Sequence, residues 1–431
     1  MRNIVIIGNG ISGVTSARHI RKRSDDRITI ISGESDYFYS RTALMYIFMG
    51  HMKQEHTQPY EKHFWKKNRI ELKRAWVKRI DFEGRTLHCS DGSAVTYDVL
   101  ILALGARPNK FGWPGQDLKG VSGMVSLQDL ECIEGYTKGI ARAAVVGGGL
   151  IGVELAEMLH SRGINVSFIV RELRFWDRVL PAEEAEMISN RIIAHGIDLR
   201  LKTEFSEILG DANGRVRAVV TGEGEEIPCA FCGLTVGVHP NIGFLADTPL
   251  ETDKGILVDE YLETNIPSVY AVGDCAQHRR PLPNRPEVEQ VWYTGRMQGE
   301  TVAATVCGNK TAYRPGNWFN SAKLFDIEYQ VYSKPVFTPG DEYEHFFWKN
   351  EEGTKSVRIA CEKGSDRVIY ISTLGVRFRH EVCNRWIEEG RSADYVLAHL
   401  REANFDPEFY PTFETEIQHA FHNKRDVRES A

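Results

Sequence analysis

No cysteine occurs between Met1 and His88, and the eight that follow are scattered at 89, 132, 229, 232, 275, 307, 361 and 383. In a chain of 431 residues that scatter excludes the disulfide framework of a small secreted domain. No apolar run approaches the roughly 20 residues that a membrane-spanning helix needs. The opening MRNIVIIGNG carries only four consecutive apolar residues before a glycine turn, so it reads as a buried strand and not as a secretion signal. An excess of charge of one sign is lacking as well. Lys and Arg number 53 against 59 Asp and Glu, and the net charge of −6 is too mild for a nucleic-acid binder. A cytoplasmic globular protein of ordinary composition is the expectation, with two or three domains for this length.

Two local features stand out against that background. Residues 62–79, KHFWKKNRIELKRAWVKR, hold eight Lys or Arg and the single acid Glu71. They form a solvated helix-and-strand surface or a docking patch for an acidic partner. Cys229 and Cys232 are the one close cysteine pair, in IPCAFCGLTVGV. An extended backbone would send side chains three apart to opposite faces, and no second pair is spaced for zinc, so both are expected in a core or turn.

What is abundant is glycine in a fixed spacing. An apolar strand ending at Ile7 leads into Gly8, Gly10 and Gly13, then a helical stretch, then the apolar run RITIIS at 27–32. The same order returns with the strand AAVV at 143–146, Gly147, Gly149 and Gly152, the helical VELAEMLHSRG, and INVSFIV at 164–170. In such a unit the first glycine makes the tight turn and the second lets the backbone approach a pyrophosphate. The third allows helix to pack closely on strand, and the helix N-terminus holds the phosphates. Two copies predict an α/β chain with two Rossmann-like dinucleotide-binding domains.

The strand tips differ. An acid there takes ribose hydroxyls and an Arg accommodates a 2′-phosphate. Glu34 follows RITIISG as a slightly late ribose ligand, whereas Arg171 stands at the second tip, followed by Glu172, Arg174 and Arg178. Arg171 favours NADPH, and Glu172 keeps NADH open.

Three further segments, TYDVLILALGARP (96–108), TVGVHPN (235–241) and TNIPSVYAVGDCAQ (264–277), complete a pattern. With the paired glycine turns they resemble the FAD-dependent pyridine nucleotide–disulfide oxidoreductase superfamily over about residues 1–310. The resemblance implies that the first cradle holds FAD and the second NADPH or NADH. It makes Asp274 the acceptor of a hydrogen bond from the ribityl chain, and Gly105 part of a crossing point, where Leu104 replaces the usual Thr. It also implies a split FAD domain, 1–112 and 236–314, an NAD(P)H domain at 113–235 inserted between, and a C-terminal α+β interface domain at 315–431 that allows a homodimer.

Disulfide reductases of this superfamily place a CxxxxC pair just after the first cradle, and coenzyme A–disulfide reductases and NADH oxidases a single cysteine. The cysteine-free stretch to His88 is similar instead to the branch of ferredoxin and rubredoxin reductases and the apoptosis-inducing-factor group. Its YxRPxLS stretch is partly kept in YSRTALMYIF as Tyr39, Arg41 and Leu44, with Arg41 implied to face the FAD phosphates. EVEQVWYTGRMQGETVAATV at 287–306 looks like the helix whose N-terminus aims at the flavin. Val291 there is implied to bind FAD and Trp292 to sit near the ring system, with a structural Trp as the alternative. Glu154 matches a position that approaches the nicotinamide, with a surface glutamate as the alternative.

The implied activity is an NAD(P)H-dependent flavoprotein reductase: hydride passes to flavin N5, and electrons then leave to a ferredoxin- or rubredoxin-type carrier. A reductase of a small acceptor (a quinone, or a nitrogen or sulfur compound) and an NAD(P)H sensor acting through oligomerisation remain open. The stretch GVRFRHEVCNRWIEEG (375–390) reads as a strand-to-helix junction or as part of an acceptor or dimer site. His380 and Cys383, three apart, are too few for a metal site, and no metal is expected.

Overall fold

Both glycine-punctuated units form as the sequence predicts. In the computed structural model residues 1–281, 283, 285–334 and 343–429 are described, with side chains to His422. The chain begins with β1 (Asn3–Ile7), α1 (Ile11–Arg21) and β2 (Arg27–Ser32), followed by β3 (Ile70–Arg74) and β4 (Val99–Leu102). The second unit is β5 (Arg142–Val146), α2 (Leu150–Ser161) and β6 (Asn165–Ile169). Beyond it come α3 (Ala182–Ala194), β7 (Cys232–Leu234), β8 (Val269–Ala271) and α4 (Trp292–Val306).

The first sheet has the order β8–β4–β1–β2–β3 and is parallel throughout. Ile4, Val5, Ile6 and Leu100 to Leu102 are fully buried, as strands covered on both faces require. Successive strands are added to opposite sides of β1, so the crevice where the strand order reverses opens at its C-terminal end. Gly8 lies there. In the second sheet β5 again lies inside, paired in parallel with β6 and β7, and a short strand Val121–Ser122 extends the β7 side. Gly147 occupies its reversal point. Cys229 and Cys232 are buried in the core around this sheet, where burial pushes the Cys229 thiol up to about 11 and raises Cys232 well above its ordinary value. Both stay protonated at neutral pH.

Contacts divide the chain into two units, Met1–Ile169 with Thr203–Arg314, and Val170–Lys202 with Pro315–Ala431. The second contains an antiparallel sheet of β9 (Trp318–Leu324), β10 (Ile327–Ser333), β11 (Tyr343–Lys349), β12 (Ser356–Glu362) and β13 (Val368–Leu374), ordered β9–β10–β13–β12–β11. Helix α5 (His380–Glu388) lays Val382, Cys383, Trp386 and Ile387 onto a core with Ile359 and Ile371. On β12, Arg358 is buried and donates from Nε to Glu184 of α3 at 2.7 Å, and from Nη2 to Glu183 at 2.8 Å. Strands β12 and β13 are buried almost end to end.

The 375–390 stretch is a strand-to-helix junction. Gly375 turns with φ +62° after β13, Arg377 is held by Glu328 and the Tyr410 hydroxyl, and His380 packs 4.3 Å from the Phe319 ring. No group of three or more His, Cys, Asp or Glu placed to hold a metal occurs among the described residues. Nor is any helix among them long and apolar enough to cross a membrane.

Candidate functional site

In each glycine turn the three glycines have different reasons to be glycine. A Cβ added to Gly8 would lie 2.0 Å from the Ala103 carbonyl oxygen, and one on Gly13 2.1 Å from the Gly8 oxygen. Gly8 also has φ +109°, a conformation closed to most side chains. Gly10 differs: nothing lies within 4 Å of its added Cβ. The second turn repeats this division. Added Cβ atoms on Gly147 and Gly152 would meet Thr235 O at 2.5 Å and Gly147 O at 2.1 Å, while Gly149 again faces open space. The outer glycines are fixed by packing, and the middle one leaves room against the backbone at the start of a helix. Neither α1 nor α2 has a side chain capping its first turn, so the N–H groups there point outward, free for an anion. The residues present fit two pyrophosphates.

Around the first cradle the predicted residues converge. Arg41 and Glu34 form a two-pronged ion pair with Nη2 to Oε2 at 2.7 Å. The Tyr39 hydroxyl also donates to Glu34, as does the Leu127 N–H at 3.1 Å. Burial alone would raise the Glu34 pKa, but Arg41, Tyr39 and Leu127 outweigh it and hold the carboxyl below its ordinary value. Arg41 donates to the Val125 carbonyl too. Asp274 sits in a tight turn, Gly273–Cys275, directly after β8. Burial pushes its pKa up to about 6 against the pull of the Arg41 charge. Gly105 has φ +69°, and its carbonyl accepts from the Asn241 N–H at 3.0 Å. Beside it the Leu104 N–H donates to Cys275 Sγ at 3.3 Å.

Helix α4 starts at Trp292, with Val291 as an N-cap residue that provides no side-chain bond. Its position is set by close packing on α1. Added Cβ atoms on Gly295 and Gly299 would lie 2.6 Å from Ser12 Oγ and 2.7 Å from Ser12 O. The uncapped first turn leaves backbone donors and the positive helix end for an anionic group.

Sequence reasoning missed the polar network behind this helix. Gln298 is buried and accepts from the Gly273 N–H at 2.7 Å. That bond fixes its amide orientation, so its Nε2 donates to His278 Nε2 at 3.2 Å, and His278 is held in its neutral form. Burial lowers the His278 pKa in agreement, with Glu289 opposing. His278 stacks on Tyr313 at 5.3 Å. Tyr313 in turn donates to buried Glu289, as do Thr294 at 3.0 Å and Arg285 at 3.2 Å. The signal was a glutamine on the same helical stripe as Gly295 and Thr294, three and four residues away.

The second cradle gathers fewer side chains. Thr235 Oγ1 donates to the Val146 carbonyl at 2.8 Å behind the turn. Glu154 lies on α2, where burial, with Glu157 nearby, raises its pKa to about 7. Arg171 falls in the second unit, as does its alternative Glu172. There Glu172 is flanked by Arg171 Nε at 3.0 Å and Arg178 Nε at 3.5 Å.

Comparison with known proteins agrees with this geometry. A family model described as pyridine nucleotide-disulphide oxidoreductase matches residues 2–299. A nitrite reductase [NAD(P)H] of Bacillus subtilis is 31% identical over 367 residues, 84% of this chain and 43% of that protein. A ferredoxin–NAD(P)+ reductase of a Sphingomonas species is 29% identical over 365 residues, 83% of this chain and 86% of its own length. Among solved structures, a ferredoxin reductase of Rhodopseudomonas palustris superposes with a TM-score of 0.78 at 25% identity, covering 86% of this chain and 91% of the other. The chain thus spans less than half of the first relative and most of the second.

Proposed function

The chain belongs to the pyridine nucleotide-disulphide oxidoreductase family, and from that premise we propose that it is an NAD(P)H-dependent FAD reductase that delivers electrons to a ferredoxin- or rubredoxin-type carrier. The observation that carries the reading is the pair of cradles in which only the middle glycines, Gly10 and Gly149, face open space. When bound, FAD accepts hydride from the nicotinamide at N5 and can give up electrons one at a time.

The chain's own residues bind and orient. Gly8, Gly10 and Gly13 seat the FAD pyrophosphate, and Glu34 and Arg41 line its adenosine and phosphate side. Gly105 and Asp274 hold the middle of the cofactor. Asp274, raised to about 6, accepts from a ribityl hydroxyl as a carboxylate at neutral pH. Val291 and Trp292 bring the uncapped N-terminus of α4 to the ring system, where its N–H groups stabilise added negative charge. Gly147, Gly149 and Gly152 admit the nicotinamide cofactor. Arg171 serves the 2′-phosphate of NADPH, and Glu154 sets the charge at the nicotinamide end. No redox cysteine follows the first cradle, since none precedes Cys89.

The same proposal divides the chain into an FAD domain (1–112 and 236–314), an NAD(P)H domain (113–235) and an interface domain (315–431) through which two copies pair. Eight free thiols support a reducing compartment such as the cytoplasm. The exposed basic residues Lys62, Lys66, Lys67 and Arg69 support an acidic carrier. A second reading, electrons passed to a small nitrogen compound, draws on the Bacillus subtilis relative.

Anaerobic stopped-flow mixing tests these readings. Flavin bleaching by NADPH within seconds, followed by reoxidation with a ferredoxin or rubredoxin, supports the reductase. Bleaching over minutes sinks it in favour of a sensor. Reoxidation by nitrite or a quinone but by no carrier supports the second reading.

A further inference from the structure

Trp76 follows β3 on the side of the first sheet where β2 also ends, and it leaves 47% of its surface in water. Its indole does not hang free. An added Cβ on Gly33 would lie 2.0 Å from Trp76 Cδ2 and 2.3 Å from Cε2, so one face of the ring rests flush on the Gly33 backbone. The main chain on either side is pinned. Ala75 N–H donates to the Ser32 carbonyl at 3.0 Å, Ser90 N–H to the Trp76 carbonyl at 2.7 Å, and Trp76 N–H to Ser90 Oγ at 3.1 Å. A rigid indole with one face seated and the remainder exposed is an aromatic platform.

Its place identifies the occupant. The tip of the second strand is where the adenosine of a dinucleotide bound at the first turn comes to lie, and Gly33 immediately precedes Glu34 at that tip. We propose that Trp76 stacks on the adenine of FAD and is a determinant of FAD binding. The proposal rests on the reading of the first cradle as the FAD site. A flat apolar face suits a purine because base-on-aromatic stacking needs no hydrogen-bond partner. It explains why position 33 carries no side chain: any Cβ would lift the indole from its seat.

The test is titration of the full chain, stripped of flavin, with FAD, ADP and FMN. ADP carries the adenine without the flavin, and FMN the flavin without the adenine. Trp76→Ala should raise the Kd for FAD and for ADP by the same factor, about tenfold, which corresponds to about 1.4 kcal/mol. FMN affinity and thermal stability should be unchanged, and Trp76→Phe should keep most of the FAD affinity. Unchanged FAD and ADP affinities would overturn the platform and leave the FAD reading standing. So would a parallel loss for all three ligands, which is the mark of a loosened cradle. If the unaltered chain binds none of the three, the reading of the first cradle falls with it.

Discussion

Arg41 and Glu34, seven residues apart, face each other with both prongs engaged, Nη1 to Oε1 at 2.9 Å and Nη2 to Oε2 at 2.7 Å. Because the folded Glu34 pKa lies below its ordinary 4.5, the pair's contribution to stability is complete above about 4.5. It fades as pH falls through the lowered value. Arg41→Ala should therefore cost about 1–2 kcal/mol at pH 7, discounted from a fully buried pair because Arg41 is partly exposed. The deficit should shrink in acid. Denaturant unfolding at pH 7 and at successively lower pH well below 4.5 measures it, and a deficit that never shrinks while the fold persists would remove the ion pair as the cause.

The glycines of one turn should separate by phenotype. Gly8→Ala places a Cβ against Ala103 O at a positive φ, so it should yield misfolded or strongly destabilised protein. Gly10→Ala should fold with an unchanged circular dichroism spectrum and hold little flavin. Gly149→Ala should keep its yellow colour and lose affinity for the nicotinamide cofactor alone. A flavin content unaffected by Gly10→Ala would count against the first cradle as the FAD seat.

Glu154 should make the protein pH-sensitive near neutrality. Its folded pKa, about 7, stands above the ordinary 4.5, so the fold prefers the neutral acid and loses stability as pH rises from about 4.5 through 7. Glu154→Gln should abolish that slope, visible as a wild-type Tm that falls relative to the variant between pH 5 and 8. The rate of flavin reduction should also change through about pH 7 in the wild type only.

Arg171→Ala should raise KM for NADPH about tenfold, the loss of one charge-assisted hydrogen bond. KM for NADH should change less than about twofold. Steady-state kinetics with the two cofactors decide it, and equal effects would remove Arg171 as the selector.

The two strand–turn–helix–strand units were legible in the sequence, because the same glycine spacing stands between an apolar strand and a helical stretch in both copies. Within the first turn, Gly8 and Gly13 leave no room for a Cβ, whereas Gly10 faces open space. The network behind α4 was not. Gln298 and His278 are 20 residues apart, and only the approach of α4 to Ser12 brings Gln298 to the Gly273 turn. Trp76 was hidden inside a segment read for its charge, since nothing in the string KRAWVKR says which residue will meet a glycine from another strand. The grouping of Val170–Lys202 with the C-terminal sheet left no trace either. Its tie, Arg358 to Glu184, joins residues 174 apart without a linker signal between them.

That tie constrains how the chain can be recombined. A chimaera that exchanged only residues 315–431 for those of a relative with no arginine at the position of Arg358 would strip Glu184 of its guanidinium and leave an uncompensated buried carboxylate. Cutting at both 170–202 and 315–431 would transfer a self-consistent cassette. Arg171 travels within it, so if Arg171 selects the coenzyme as proposed, that preference and the C-terminal sheet would be inherited together.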